Sequence, residues 1–456
     1  MINFKNLKGK KVVVMGLGLI GGGVGVVKWL IKNKAQVLVT DLKKKSQLKE
    51  SIDKLKGLPI KYVLGKHDEK DFTNADLIIK NPAVPSDSKF LKIAKKNKIP
   101  IETDISIFFR LFKGKIIGVT GTKGKSTTSF LIYQFLKEAK KKVFLAGNIG
   151  QSPLNYLNKN YSLAVLELSS WQLEDMAHLK KSPQVAVLTT IFPDHLDRYK
   201  SFKDYIEAKK LIFKFQKKKD VLVLNFDNKI TKKFARLAKG KVFYFSQKML
   251  KRKNSLFIKD GRIIFKKDKE KEIVSLQEIK NKSNLENILA AITVACLFKV
   301  SSKKIKKVLK KFKGLPNRLE LIRILKGVKY YNDSMATVPQ ATITALKNFP
   351  YQKIILISGG ADKNLNFEKM VKEIKKRCKA VILLPGSATE KIELKLSTLN
   401  FKPILKVKNM KEAVLKASSL AEKDDIVLLS PGCASFGLFQ NAYHRAQEFI
   451  KAVKKL

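Results

Sequence analysis

Residues 116–127 read Ile-Ile-Gly-Val-Thr-Gly-Thr-Lys-Gly-Lys-Ser-Thr, a short apolar strand running into a glycine-punctuated turn and then a helix. That order is the layout of a phosphate-binding loop. Gly121 and Gly124 let backbone N–H groups approach phosphate oxygens, Lys125 can reach the terminal phosphates, and the Ser126 hydroxyl can ligate Mg²⁺. The strict pattern asks for glycine five residues before Gly124, yet Val119 stands there, with Gly118 one place earlier. The loop is therefore an abbreviated phosphate cradle, a spelling that narrows the field of ATP users.

Outward from this loop, strands recur at Lys142–Ala146, Leu163–Leu168 and Gln184–Thr189, alternating with helical stretches. This alternation predicts a parallel sheet. Each strand ends in polar residues: Gly147-Asn148-Ile149-Gly150, then Glu167-Leu168-Ser169-Ser170-Trp171-Gln172, then Asp194-His195-Leu196-Asp197-Arg198. Several such tips beside a phosphate loop make a site.

The preceding segment opens with a strand at Lys11–Gly16 and a GxGxxG turn, Gly16-Leu17-Gly18-Leu19-Ile20-Gly21. A second strand, Gln36–Thr40, ends at Asp41, twenty residues after the last glycine, the position of a ribose-binding carboxylate in a Rossmann-type domain. Taken alone the turn reads either as an NAD site or as tight packing of helix on sheet. A later strand, Ala75–Lys80, leads into Asn81-Pro82-Ala83-Val84-Pro85. The third segment follows Gly314-Leu315-Pro316, a helix-ending signal that reads as a hinge. Its strands at Lys329–Tyr331, Lys353–Ile357, Ala380–Leu384 and Ile426–Leu429 end in small residues and a lysine, which suit anionic groups.

The predicted fold is thus α/β with three domains. Residues 1–103 form a Rossmann-like domain, 104–314 a central P-loop parallel-sheet domain, and 315–456 a C-terminal Rossmann-like α/β domain. A chain of 456 residues with 45% hydrophobic content accommodates all three. No apolar run reaches the roughly 18 residues needed to span a bilayer. Val12–Leu30 comes nearest, but its glycines and Lys28 fit a strand–turn–helix and no cleavage site follows. Three widely spaced cysteines imply no disulfide framework, so a reducing cytoplasmic setting is expected. The net charge of +56 suggests nucleic acid, but only nine of the 94 basic residues are arginine and the lysines spread over the whole chain. No specific nucleic-acid partner is expected.

Six motifs occur in a fixed order: Thr120–Thr127; Leu166-Glu-Leu-Ser-Ser-Trp-Gln-Leu-Glu174; Asp194-His-Leu-Asp-Arg-Tyr199 with Glu207-Ala-Lys209; Leu315-Pro-Asn-Arg318; Asn332-Asp-Ser334; and Ser430-Pro-Gly-Cys-Ala-Ser435. Together they resemble the Mur ligase family over essentially the whole chain, and within it the branch that adds D-glutamate to UDP-N-acetylmuramoyl-L-alanine. The resemblance implies cytoplasmic peptidoglycan precursor synthesis by a monomer. ATP would phosphorylate the muramoyl-alanine carboxylate, and the D-glutamate amine would attack the resulting acyl phosphate. Electrostatic clamping and positioning would carry the catalysis.

The resemblance assigns residues as follows. Gly121, Thr122, Lys123, Gly124, Lys125, Ser126 and Thr127 would bind ATP, with Asn284 and Asn287 on the adenine side and Arg318 and Asp333 reaching it from the third domain across the hinge. Ser126 and Glu167 would hold one Mg²⁺, and His195 a second. Lys209, carbamylated by CO₂, would present carboxylate oxygens to the metals; Lys125, His195 and Lys209 would be the catalytic set. The GxGxxG turn would then hold the uridine nucleotide rather than NAD, through Leu19, Ile20, Asp41, Lys43, Asn81 and Asn148. Thr337, Lys363, Ser435 and the Phe436 backbone would take the amino acid.

This chain departs from the family pattern at Asn281, Ser283, Met335, Ala442, Ile20 and Lys43. Met335 and Ala442 fall at the amino-acid pocket and bear on D-glutamate specificity. His67, His178 and His444 read as surface or packing residues, and Cys433 as a small filler. Another amide ligase of the superfamily, an NAD-dependent dehydrogenase and a nucleic-acid-binding ATPase stand as rival readings. The last two leave the phosphate loop idle or rest on charge alone.

Overall fold

The computed structural model describes residues 3–4, 6–19, 21–196, 198–280, 282 and 285–456. Of the expected site residues, Ile20 and Asn284 lie outside the described residues, as do Asp197, Asn281 and Ser283. Three sheets account for the strands. The first has the order β3-β2-β1-β4-β5, from β1 (Lys11–Met15), β2 (Gln36–Asp41), β3 (Ile60–Leu64), β4 (Leu77–Lys80) and β5 (Ile101–Glu102), and is parallel throughout.

The second runs β14-β13-β12-β11-β10-β9-β6-β8-β7. Its parallel part holds β6 (Lys115–Thr120), β7 (Val143–Gly147), β8 (Leu163–Glu167), β9 (Val185–Leu188), β10 (Val221–Asn225), β11 (Lys241–Phe245) and β12 (Ser255–Lys259). Antiparallel pairing adds β13 (Arg262–Lys266) and β14 (Glu270–Ser275). The third sheet runs β15-β16-β20-β17-β18-β19. Its strands are β15 (Glu320–Leu325), β16 (Val328–Asn332), β17 (Ile354–Gly359), β18 (Cys378–Leu384), β19 (Ile404–Lys406) and β20 (Ile426–Leu429), with β15 alone antiparallel.

The α/β expectation is met, and the reason is legible in β17. Ile354 and Leu356 pack into one core while Ile355 and Ile357 pack into another, so a continuous apolar run is buried on both faces. In the first two sheets the strand order reverses beside β1 and β6, and the glycine-rich turns follow those two strands. Crevices at such reversals are where ligands of open α/β sheets bind.

The chain divides into two compact units: residues 1–191, 206–279 and 284–311 form one, and residues 192–205, 280–283 and 312–456 the other. The first unit contains the first two sheets. Within it, a buried ion pair joins Lys80 at the end of β4 to Asp175 of helix Ser170–Asp175, at 2.8 Å. Among the described residues no helix is long and apolar enough to cross a membrane.

Candidate active site

The phosphate loop forms as its glycines require. Gly124 is the N-cap of helix Lys125–Glu138 with φ 85°, and Gly121 has φ 152°, both conformations that favour glycine. A Cβ on Gly124 would run into the Asn287 carboxamide, and one on Gly121 into the Thr189 hydroxyl. Glycine is thus required at both positions by the close approach of Asn287 and Thr189, and the loop leads into the positive end of a four-turn helix, where phosphate would approach. Lys125 Nζ donates to the carbonyls of Gly121 (2.9 Å) and Thr122 (3.0 Å), so its ammonium lies over the loop. Asn287, near the start of helix Leu285–Leu297, is buried against this loop, and its carbonyl accepts from Thr128 Oγ1 at 3.4 Å.

Two residues that sequence reasoning missed hold the loop in place. Thr189 Oγ1 donates to the Lys123 carbonyl, and the Thr122 N–H donates to the Thr190 carbonyl at 2.7 Å. Both threonines follow β9 directly, on the same side as the loop. Their place at a strand end beside the loop strand was the available signal.

Glu167 ends β8, in register with Val119 of β6 and Gly147 of β7. It is 2% exposed. One carboxylate oxygen, Oε1, accepts from Asn148 Nδ2 at 2.8 Å, while Oε2 is buried with no hydrogen-bond partner among the described residues. A buried carboxylate oxygen left in that state is costly unless a cation joins it. Lys209, on helix Phe202–Lys214, is also 2% exposed, with Nζ 3.5 Å from Thr120 Oγ1 at the end of the loop strand. Its neighbour Lys210 turns outward, bonding Glu207 at 2.6 Å and covering the Phe234 ring. Helical geometry separates the two lysines by about 100°, so the inward one is Lys209.

The nucleotide side of the first sheet is built around Asp41. The carboxylate is buried and accepts two backbone amides, Gly18 N–H at 3.2 Å and Lys43 N–H at 2.9 Å. Asp41 thereby ties the glycine turn to the end of β2. Leu19 and Lys43 are the partly buried and exposed neighbours of this knot. Asn81 packs on the turn from β4: a Cβ at Gly16 would lie 2.9 Å from its Cβ. The turn's last glycine, Gly21 (φ 94°), faces the Gly150 carbonyl of the loop after β7, where a Cβ would approach to 2.9 Å. Glycine turn, Gly150, Asn148 and Glu167 therefore form a continuous line within one unit. His67 lies partly buried at its edge, with Nδ1 2.7 Å from Thr40 Oγ1 and the ring edge-on to Phe72 and Phe90, a packing role as expected.

Two acids in this unit were also missed. Asp104 begins helix Asp104–Leu111, and burial pushes its carboxyl up to about 6 against the hydrogen bond from Ser152. Glu286, adjacent to Asn287, accepts from Asn225 Nδ2, and burial pushes it up to about 7.

The second unit holds the remaining residues. His195 adopts φ 56° and donates its N–H to Asp194 Oδ1 at 2.8 Å, while its carbonyl accepts from the N–H groups of Arg198 and Tyr199. Asp194 also accepts from Lys363 Nζ at 3.1 Å in a nearly buried pair. Thus Lys363 and His195 share one carboxylate. Asp333 follows β16, and its Oδ2 accepts from Ser430 Oγ at 2.9 Å. Ser435 is buried, Phe436 is 65% exposed, and Thr337 and Arg318 are partly buried. Burial pushes the Cys433 thiol up to about 12, so it is not a nucleophile. Of the expected metal ligands, Ser126, Glu167 and Lys209 belong to the first unit and His195 to the second.

Comparison with known proteins covers the same ground. Three family models match: "Mur ligase MurD-like, N-terminal domain" at residues 10–103, "Mur ligase middle domain" at 119–295, and "Mur ligase, glutamate ligase domain" at 317–433. A UDP-N-acetylmuramoylalanine--D-glutamate ligase from Roseiflexus sp. (strain RS-1) is 40% identical, covering 98% of this chain and 99% of that protein. A protein of the same name from Thermoanaerobacter pseudethanolicus is 39% identical over 99% of each chain. Among solved structures, the UDP-N-acetylmuramate-alanine ligase of Thermotoga maritima superimposes with a TM-score of 0.66 at 20% identity, over 98% of this chain and 99% of that one. The MurF ligase of T. maritima in complex with ADP gives 0.57 at 20%, over 100% and 97%. These two similarities speak to fold alone; the full-length identities speak to descent, and by them this chain belongs to the Mur ligase family.

Proposed function

We propose that this chain is an ATP-dependent ligase that joins D-glutamate to UDP-N-acetylmuramoyl-L-alanine, releasing ADP and phosphate, in the cytoplasmic synthesis of peptidoglycan precursors. The carrying observation is the near-40% identity, over the whole length of both chains, to relatives named for that reaction. The geometry of the first unit supports it: a glycine-bearing phosphate loop, a carboxylate with one unsatisfied oxygen, and an inward lysine gather at the ends of the paired strands β6 and β8.

Mg²⁺ fits these residues. The buried, unpartnered Oε2 of Glu167 is a hard oxygen donor, and the Ser126 hydroxyl opens the helix after the loop. When bound, the ion would neutralise phosphate charge and polarise the phosphoryl group. A carbamate on Lys209 would turn a buried cation into a carboxylate-like ligand, which suits a side chain enclosed beside the loop strand. We assign a second Mg²⁺ to His195.

The chain's own residues act as follows in this reading. The loop amides and Lys125 hold the ATP phosphates, and Asn287 fixes the loop from behind. Asn148 orients Glu167 through Oε1 and leaves Oε2 for the cation. Asp41, with Leu19, Ile20, Lys43 and Asn81, holds the uridine nucleotide, using a turn already tied to β2. Arg318 and Asp333 contact ATP, and Asn284 its adenine. Lys363, oriented by Asp194, takes a carboxylate of the amino acid with Thr337, Ser435 and the Phe436 backbone. Transfer of the γ-phosphoryl group to the muramoyl-alanine carboxylate forms the acyl phosphate. Attack by the amine then expels phosphate and forms the amide.

Phosphate release from ATP, measured with UDP-N-acetylmuramoyl-L-alanine and a panel of D- and L-amino acids, tests this. The expected result is release that requires both substrates and is greatest with D-glutamate. Release that needs neither, or that follows another amino acid, overturns the reading.

A further inference from the structure

Arg445 is 1% exposed, yet it is not among the residues expected to bind substrate or metal. It sits in the first turn of helix Ala442–Lys454. Its guanidinium is spent on two loops. Nε donates to Ser334 Oγ (3.1 Å) and Nη2 to the Ser334 carbonyl (2.8 Å), while Nη1 donates to the Cys433 carbonyl (3.2 Å). The Ser334 hydroxyl passes its proton on to the Ala442 carbonyl at 2.8 Å. Ser334 directly follows Asp333, and Cys433 stands two residues before Ser435. One planar fork therefore sets the spacing between the loop of the ATP-side aspartate and the loop of the amino-acid-side serine.

The network continues on the ATP side. The Ser334 N–H donates to Asn332 Oδ1 (3.1 Å), and Asn332 Nδ2 donates to Asn317 Oδ1 (2.8 Å), next to Arg318. Hydrogen-bonded side chains thus run from the Arg318 turn to the Ser435 loop, with Arg445 at the junction. A lysine cannot substitute at such a point, because one ammonium lacks the rigid fork that addresses a hydroxyl and two carbonyls at once. The composition agrees: in a chain with 94 basic residues and only nine arginines, position 445 is arginine.

We propose that Arg445 is a positioning residue of the ligase reaction, holding the amino-acid loop (Ser435, Phe436) in register with the ATP-side turn (Arg318, Asp333). This rests on the D-glutamate ligase reading above. The test uses the full-length protein with the variants Arg445→Lys and Arg445→Ala, and steady-state phosphate release with each substrate varied in turn. Expected for Arg445→Lys is a rise of about 10- to 100-fold in KM for D-glutamate, with KM for the UDP-substrate within about twofold. Added guanidinium, at concentrations that leave the wild type unaffected, is expected to restore part of the activity of Arg445→Ala.

A purely structural role would lower the yield of folded protein and leave the three KM values of the folded fraction unchanged. That result, or wild-type KM for D-glutamate in a folded Arg445→Lys protein, overturns the proposal. A wild-type protein that does not use D-glutamate removes the ligase reading, and the inference with it.

Discussion

Replacing Thr189 by valine isolates the clasp on the phosphate loop. The side chain is fully buried and valine matches its shape, so packing is preserved and only the hydroxyl is lost. That hydroxyl donates to the Lys123 carbonyl, with Thr120 O further away at 3.3 Å. Without it, Lys123 O keeps the long 3.4 Å contact from Thr190 Oγ1 and gains a methyl group as its neighbour. Loss of one buried hydrogen bond of this kind costs about 1–2 kcal/mol. If the loop loosens locally, ATP must restore its order on binding, and the same free energy appears as a rise in KM for ATP of about 5- to 30-fold. KM for the UDP-substrate should stay put, because the Asp41 knot is untouched. Thr189→Ser retains the donor and should fall near the wild type. Phosphate-release kinetics with ATP varied supply the measurement. A Thr189→Val enzyme with KM for ATP within twofold of wild type would refute the view that this hydroxyl holds the loop.

Lys209→Met should lower ligase turnover about 100- to 1000-fold, whereas Lys210→Met should leave it nearly unchanged. In ¹³C-bicarbonate, a carbamate resonance present in the wild type and in Lys210→Met but absent from Lys209→Met would identify the modified nitrogen. Asp104 gives a pH signature: its folded-state carboxyl lies near 6 against an ordinary 3.8, so the native state binds the extra proton and stability falls as pH rises through that window. Asp104→Asn should therefore gain on the wild type between pH 4 and pH 6, by up to about 3 kcal/mol in urea unfolding, and hold that gain above it. An unchanged difference across the window would disprove the assignment. Lys80→Met removes the buried cation that faces Asp175 and should cost about 3 kcal/mol in the same assay, most of it recovered in Lys80→Met/Asp175→Leu. Additive losses in the double variant would show that the two side chains do not act as a pair.

Several parallel strands, among them β6, β8, β9, β17 and β20, were legible because a buried strand needs a continuous apolar run, while β10 and β11, parallel as well, went unread. The ends of the strands that were read were less legible, for reasons of chemistry. The Ala75–Lys80 expectation shrinks to Leu77–Lys80: the Asp76 N–H still donates to the Lys11 carbonyl at 2.9 Å, but the Lys11 N–H is taken by the Asp76 carboxylate at 2.8 Å in place of a backbone carbonyl. Strands β13 and β14 went unread because their exposed faces are charged, with Arg262–Glu272 and Lys266–Glu270 pairs that resemble any solvated surface. Asp260-Gly261, both at positive φ, was the hairpin signal available. At the site, residues that ligate or cradle could be read from motifs. The holding roles of Thr189, Asp194 and Arg445 could not, since each acts through another residue, even at Asp194, which lies inside a motif.

In a chain so rich in lysine, composition says nothing about which lysine matters, and burial takes over that role. Among the described residues only Lys80, Lys209 and Lys363 are buried. Enclosing an ammonium is expensive without compensation, so each must have a reason to be inside. Lys80 has Asp175, and Lys363 has Asp194 together with a proposed task at the amino-acid carboxylate. Lys209 Nζ lies 3.5 Å from the Thr120 hydroxyl, at the end of the loop strand. In the proposed carbamate the enclosed cation would become an oxygen donor for a metal ion. Burial singles out Lys209 from its outward-turned neighbour Lys210 without reference to any motif.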